Sequence, residues 1–145
     1  MARTNVEAFE KSHGITLPEG YRQFVIDIGS GGDYGPPECG LLQPGKMTNN
    51  LANLSKPFPF TKEWCWEDEE NPDEQLLEKV GHGRLILGDD GCGEYWTLIV
   101  TGPQRGQIWN LTGEGILPCA PPRDFLSWFE YWLDGGTDWW AGLEK

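Results

Sequence analysis

Leu85-Ile-Leu-Gly-Asp-Asp-Gly-Cys-Gly-Glu-Tyr-Trp-Thr-Leu-Ile-Val-Thr-Gly-Pro-Gln-Arg-Gly-Gln-Ile-Trp-Asn-Leu111 is the stretch that decides the fold. It holds short apolar runs punctuated by glycine. Arg84 to Leu87 reads as one strand, Glu94 to Val100 as a second and Gln107 to Leu111 as a third. Gly88-Asp-Asp-Gly91 reads as a tight turn between the first two, because glycine reaches positive φ without steric cost. Thr101-Gly-Pro-Gln-Arg-Gly106 turns the chain again. Connections this short make the sheet antiparallel, since parallel pairing needs a much longer crossover. In the second run Trp96, Leu98 and Val100 alternate with Tyr95, Thr97 and Ile99. Both faces are largely apolar, which predicts a central place in the sheet. No nucleophile, base and orienting group fall together here, so the stretch, with the Trp-rich segment that follows it, reads as scaffold plus a recognition surface.

Toward the C-terminus a helix is expected from Pro121 or Pro122. Phe125, Leu126, Trp128, Phe129, Trp132 and Leu133 share a broad apolar face, opposite Arg123, Ser127, Glu130 and Asp134. Gly135-Gly136 stops it. Trp139 and Trp140 follow in a tail that either folds back over the sheet or stays free for a partner. Toward the N-terminus, Thr4 and Glu7 have the spacing of a capping box, with Val6 and Phe9 facing inward and Gly14 as the stop. Pro18 opens a second helix whose stripe is Tyr21, Phe24, Val25 and Ile28, ended by Gly29. Gly40-Leu-Leu-Gln43 is a strand candidate and Lys46 to Leu54 a helical one. Asn71-Pro72 reads as a turn, with a short helix from Pro72 to Val80. Two helices before a meander and one after it predict an α+β fold. It has a central antiparallel sheet, with N-terminal helices and a C-terminal aromatic helix packed on it.

At 145 residues the chain is read as a single domain, 1–145. Its 23 acidic residues against 11 basic ones give a net charge of −12. That field repels nucleic-acid phosphate and anionic membrane, and it attracts basic proteins. Cys39, Cys65, Cys92 and Cys119 stand isolated, with no C-x-x-C pair that would point to a zinc ribbon. The polar start Met1-Ala-Arg-Thr-Asn-Val-Glu7 lacks an apolar h-region, so reduced thiols and a cytoplasmic location are expected.

Candidate chemistry is sparse. Asp89, Asp90 and Glu94 could hold a hard cation, but their spacing is not that of a calcium loop, and a self-capping hairpin is favoured. His82 and Cys92 can be drawn as a dyad only if the fold brings them together. The segment from Glu63 to Glu78 carries eight acidic residues and no basic one. It reads equally as a solvated loop or as an interface. In the second case Trp64 and Trp66 anchor, and Glu67, Asp68, Glu69, Glu70, Asp73 and Glu74 steer; the alternative is that one of the two Trp plugs the core.

The order of these motifs resembles the SUKH superfamily. That is the domain of the Smi/Knr cell-wall-assembly regulators, common in bacteria as immunity proteins of polymorphic toxin systems. Leu17-Pro-Glu-Gly-Tyr-Arg-Gln-Phe-Val-Ile-Asp-Ile-Gly-Ser-Gly-Gly32 is similar to the family's opening. Ile86 to Trp109 is similar to its central Gly-Asp-x-Gly-x-Gly strand pair, and Gly115-Ile116 with Phe125 to Asp134 to its closing helix. The resemblance implies a non-enzymatic domain with no cofactor, metal or catalytic residues. It would bind a cognate protein toxin, often a nuclease with a basic cleft. A regulatory scaffold is the alternative, and a metal-dependent hydrolase on Asp89, Asp90 and Glu94 ranks below it. Oligomeric state is left open between monomer and homodimer.

Overall fold

The computed structural model describes residues 2–27, 51–91 and 93–140, with 89–91 described by backbone alone. The expected strand at 40–43, the stop at Gly29, and Cys39 and Cys92 lie outside the described residues.

Helix α1 spans Arg3–His13 and α2 spans Glu19–Asp27. The capping box at Thr4 does not form. The helix begins at Arg3 with Ala2 as its cap and no side-chain cap bond, so Thr4 already lies inside the first turn. Gly14 does end α1, in the left-handed conformation at φ 64°. Glu10 ties the two helices together. Its carboxylate accepts from the backbone N–H of Leu17 at 2.8 Å and from Arg22 Nε at 3.1 Å. Pro18 sits just ahead of α2, its carbonyl accepting the Arg22 N–H at 2.9 Å.

Five strands form one antiparallel sheet among the described residues: β1 (Trp64–Cys65), β2 (Arg84–Gly91), β3 (Glu94–Ile99), β4 (Ile108–Leu111) and β5 (Gly115–Pro118). Their spatial order is β1-β5-β4-β3-β2, so β3 is interior, as its two apolar faces require. The expected turn at Gly88-Asp-Asp-Gly91 is instead the end of β2. Asp89 pairs with Tyr95 and Gly91 with Glu94, with register irregularities between Ile86 and Gly88 and again between Asp89 and Gly91. Such irregularities let a glycine-rich strand bend and stay paired, which moves the reversal on to Gly93 at φ 81°. Short helix α3 (Glu74–Glu78) is capped by Asp73, and α4 (Phe125–Leu133) by Asp124, whose carboxylate accepts the Ser127 N–H at 2.8 Å.

Each face of the sheet is buried in its own core. Trp96, Leu98, Val100 and Ile108 pack with Val6, Leu17, Tyr21 and Val25 from the N-terminal helices and with Phe125 and Trp128 from α4. On the other face Ile99, Trp109 and Ile116 pack with Phe58, Phe60 and Val80, flanked by Trp64, Trp66 and Leu76. The chain from 58 to 80 is therefore the second cover of the sheet, a role the helix-on-sheet expectation did not assign it. Helix α4 buries a narrower stripe than predicted. Leu126 is 43% and Leu133 61% exposed, because both lie about 100° round the helix from the Phe125–Trp128–Trp132 line. The tail folds back: Trp140 stacks on Trp96 at 5.9 Å and 12°, and Trp139 meets its edge at 5.3 Å.

The two cores are stitched at Gly83. Its N–H donates to Asn53 O at 2.9 Å, and its own carbonyl accepts from Val100 N at 2.7 Å. At φ +62° a Cβ here would lie 2.5 Å from Thr101 O and 2.7 Å from Phe58 N. Gly83→Ala should therefore lower stability by about 2 kcal/mol or more. Urea unfolding would read this as a lower midpoint at unchanged slope.

Candidate functional site

Strand β1 brings the acidic segment to the sheet. It pairs with β5 through Trp64 opposite Ile116 and Cys65 opposite Gly115. The missing side chain at Gly115 permits this approach, since a Cβ there would stand 2.5 Å from Trp64 O. Trp64 stacks on Phe60 at 5.6 Å, meets Trp66 edge-on at 5.5 Å, and donates its indole N–H to Glu69 Oε2 at 2.6 Å. Trp66 opens the 3-10 turn Trp66–Asp68 and donates its indole N–H to Gly113 O at 3.0 Å. Both rings are half-buried. They are the plugs that fix the segment to the second core, and each polar tip is already paired.

The six acids singled out from sequence divide by role. Glu67, Asp68, Glu69, Glu70, Asp73 and Glu74 are all exposed. Glu69 holds Trp64, and Asp73 caps α3 by accepting from Gln75 N at 2.9 Å and Leu76 N at 3.3 Å. Glu67, Asp68, Glu70 and Glu74 carry no side-chain hydrogen bond or ion pair among the described residues, which leaves them as the charge available to a partner. The backbone of Glu67 continues this surface to the β4–β5 turn, donating to Glu114 O at 3.2 Å.

Beside it lies a groove of about 350 Å³ that sequence reasoning missed. Its mostly apolar lining includes Cys65, Ile116, Leu117 and Trp140, with Asn110 and the carboxylate residues Glu63, Glu94 and Glu114. By strand register Cys65, Asn110 and Leu117 share the sheet face of Trp96. The signal available in the sequence is Gly115-Ile-Leu-Pro118, an apolar run after a glycine turn.

The remaining candidates assemble less. The side chains of Asp89 and Asp90 lie outside the described part, and Glu94 lines the groove. Among the described residues no group of three or more His, Cys, Asp or Glu is placed to hold a metal ion. The dyad drawn between His82 and Cys92 also falls outside, through Cys92. Burial, with help from Lys56, lowers the pKa of His82, and Glu78 opposes this. No helix among the described residues is long and apolar enough to cross a membrane.

An α+β domain with one face of its sheet under helices and the other under an acid-bearing segment is the class that this geometry defines. The family model of the SMI1 / KNR4 family (SUKH-1) matches residues 3–134, and the chain belongs to that family. No curated protein and no solved structure matches it.

Two thiols report on this arrangement. Cys65 is exposed and free, while Cys119 is free but buried, its pKa pushed up to about 12 by burial against a smaller opposing pull from Arg123. Brief alkylation at neutral pH, read by peptide mapping, should modify Cys65 at least about tenfold faster than Cys119. A second check concerns the plug. Trp66→Phe keeps an aromatic side chain but shrinks it and removes the bond to Gly113 O, and should cost about 1–2 kcal/mol in thermal or urea unfolding.

Proposed function

We propose that the chain is a non-enzymatic immunity protein that binds and neutralises a cognate polymorphic toxin, a nuclease-type toxin with a basic active-site cleft. The observation that carries this reading is the acidic segment itself. It is held in a defined shape by two aromatic plugs, with Glu67, Asp68, Glu70 and Glu74 exposed and unpaired among the described residues. Family membership supports a protein-interaction role.

The physical account follows from charge. A cleft that binds phosphate presents Lys and Arg, and neutralising them with carboxylates releases counterions much as nucleic acid does. A net charge of −12 accelerates encounter with such a surface, and the effect fades as salt shortens the screening length to about 8 Å near physiological ionic strength. The chain acts by occupying the cleft, with no chemistry of its own.

Calorimetric titration against the toxin domain encoded beside this gene, at low and moderate salt, tests the reading. Nanomolar binding that weakens with salt is the expected result. Absence of binding at both salts would remove that toxin as partner and move a regulatory scaffold to the front. Reversing Glu67, Asp68, Glu70 and Glu74 to lysine should slow association at least about tenfold and flatten its salt dependence, with a smaller change in dissociation. Asp73 and Glu69 are left intact in that variant because each holds local structure. Unchanged association would place the interface elsewhere.

A further inference from the structure

We infer that the groove between β1, the β4–β5 turn and Trp140 receives an arginine-bearing, extended segment of the protein partner. This rests on the reading of the chain as a binder of a basic protein, and it adds a second, desolvated contact to the exposed acidic segment. Charge complementarity is the first argument. Glu63, Glu94 and Glu114 reach the groove from three different places in the fold, and among the described residues no Lys or Arg lines it.

The lining selects among cations. Apart from the carboxylates it is mostly apolar, with Ile116, Leu117 and the indole of Trp140. A lysine ammonium is compact and strongly hydrated, and gains little from such walls. An arginine lays its methylene stem on apolar surface, stacks its planar guanidinium on an indole and forks to carboxylates. Asn110 adds an acceptor. It is 4% exposed, and its amide NH₂ donates to Tyr95 O at 3.4 Å, so the Oδ1 is the end that can accept. Size argues for an extended segment. About 350 Å³ admits a side chain or two with some backbone, whereas a helix is about 10–12 Å across with its side chains. Continuity is the last argument: Glu114, on the rim, is hydrogen-bonded through its carbonyl to Glu67 of the acidic segment.

The test uses the full chain, labelled with ¹⁵N, and hexa-arginine amide as probe, with hexa-lysine amide as comparison. Hexa-arginine should shift the Trp140 indole and Asn110 side-chain amide signals to saturation, and should slow maleimide modification of Cys65 at least about threefold. Hexa-lysine should bind at least about fivefold more weakly at the same sites. Combining Glu63→Gln, Glu94→Gln and Glu114→Gln should weaken hexa-arginine at least about tenfold, with the far-UV spectrum checked for folding. Combining Glu67→Gln, Asp68→Asn and Glu70→Gln should weaken it less. Shifts confined to 67–74 with Cys65 unprotected overturn the groove assignment, as does equal binding of the two peptides or no binding at low salt. The Cys65 and indole readouts need no variant, so misfolding of the triple mutant does not blunt them. None of these failures touches the immunity reading, which the calorimetric titration with the toxin decides separately.

Discussion

Strand β3 sets Trp96 and Leu98 on one side and Thr97 and Ile99 on the other, and none of the four is more than 2% exposed. A strand buried on both sides needs a cover on each face. The helices supply one cover from elements near the two ends of the described chain. The other has to come from the stretch between α2 and β2, and it is built from Phe58, Phe60, Trp64, Trp66, Leu76 and Val80. That stretch also carries the densest acidic charge in the molecule. The two demands are compatible because aromatic and acidic residues interleave, rings turned to the sheet and carboxylates to water. Burying one large aromatic ring gains about 4–6 kcal/mol at most. Two exposed carboxylates repel by about 1 kcal/mol even at 4 Å in water. Packing therefore outweighs repulsion, and the charge can be displayed on a fixed surface.

Polar groups inside this double core are handled unevenly. Thr97, buried on β3, donates its hydroxyl to Trp109 O across the strand pair at 2.9 Å. The indole N–H groups of Trp109 and Trp128 find no partner among the described residues. Each such orphan costs about 1–3 kcal/mol, less than the burial of its ring provides. Glu10 shows the opposite solution, where a carboxylate at the α1–α2 junction is satisfied by both a backbone N–H and a guanidinium. The helix pair is thereby fixed by directed bonds, while the sheet is fixed by shape.

How much of this was legible follows from where the signals are local. The alternation in Glu94 to Val100 and the Tyr21, Phe24 and Val25 part of the α2 stripe are short-range patterns, and over the described residues both elements stand where those patterns put them. The Gly88-Asp-Asp-Gly91 turn failed because glycine serves turns and irregular strands alike, and only pairing to Tyr95 and Glu94 tells them apart. Leu126 and Leu133 failed because apolarity alone does not set how wide a helix face is covered. That one of Trp64 and Trp66 plugs the core was a reading the sequence offered; that both do was not legible, since their partners Phe60, Glu69 and Gly113 become neighbours only once β1 joins β5. The groove was invisible for the same reason. Its lining is drawn from four separated stretches of chain, 63–65, 94, 110–117 and 140.

The dual use of the tryptophans bears on where binding energy can come from. Exposed carboxylates act over distance and set the rate of encounter, but a pair left in water contributes at most about 1 kcal/mol. Tight complexes draw on a few contacts that exclude water, most often an aromatic or arginine anchor in a pocket. Trp64 and Trp66 are half-buried with their N–H groups engaged, so inserting them into a partner would first uncover the second core. The acidic segment is thus well made to attract a basic surface and poorly made to hold it alone. A partner that stays bound must find desolvated contact nearby, and the groove bounded by Trp140, continuous with the segment through Glu114, is an adjoining surface of suitable shape and charge among the described residues.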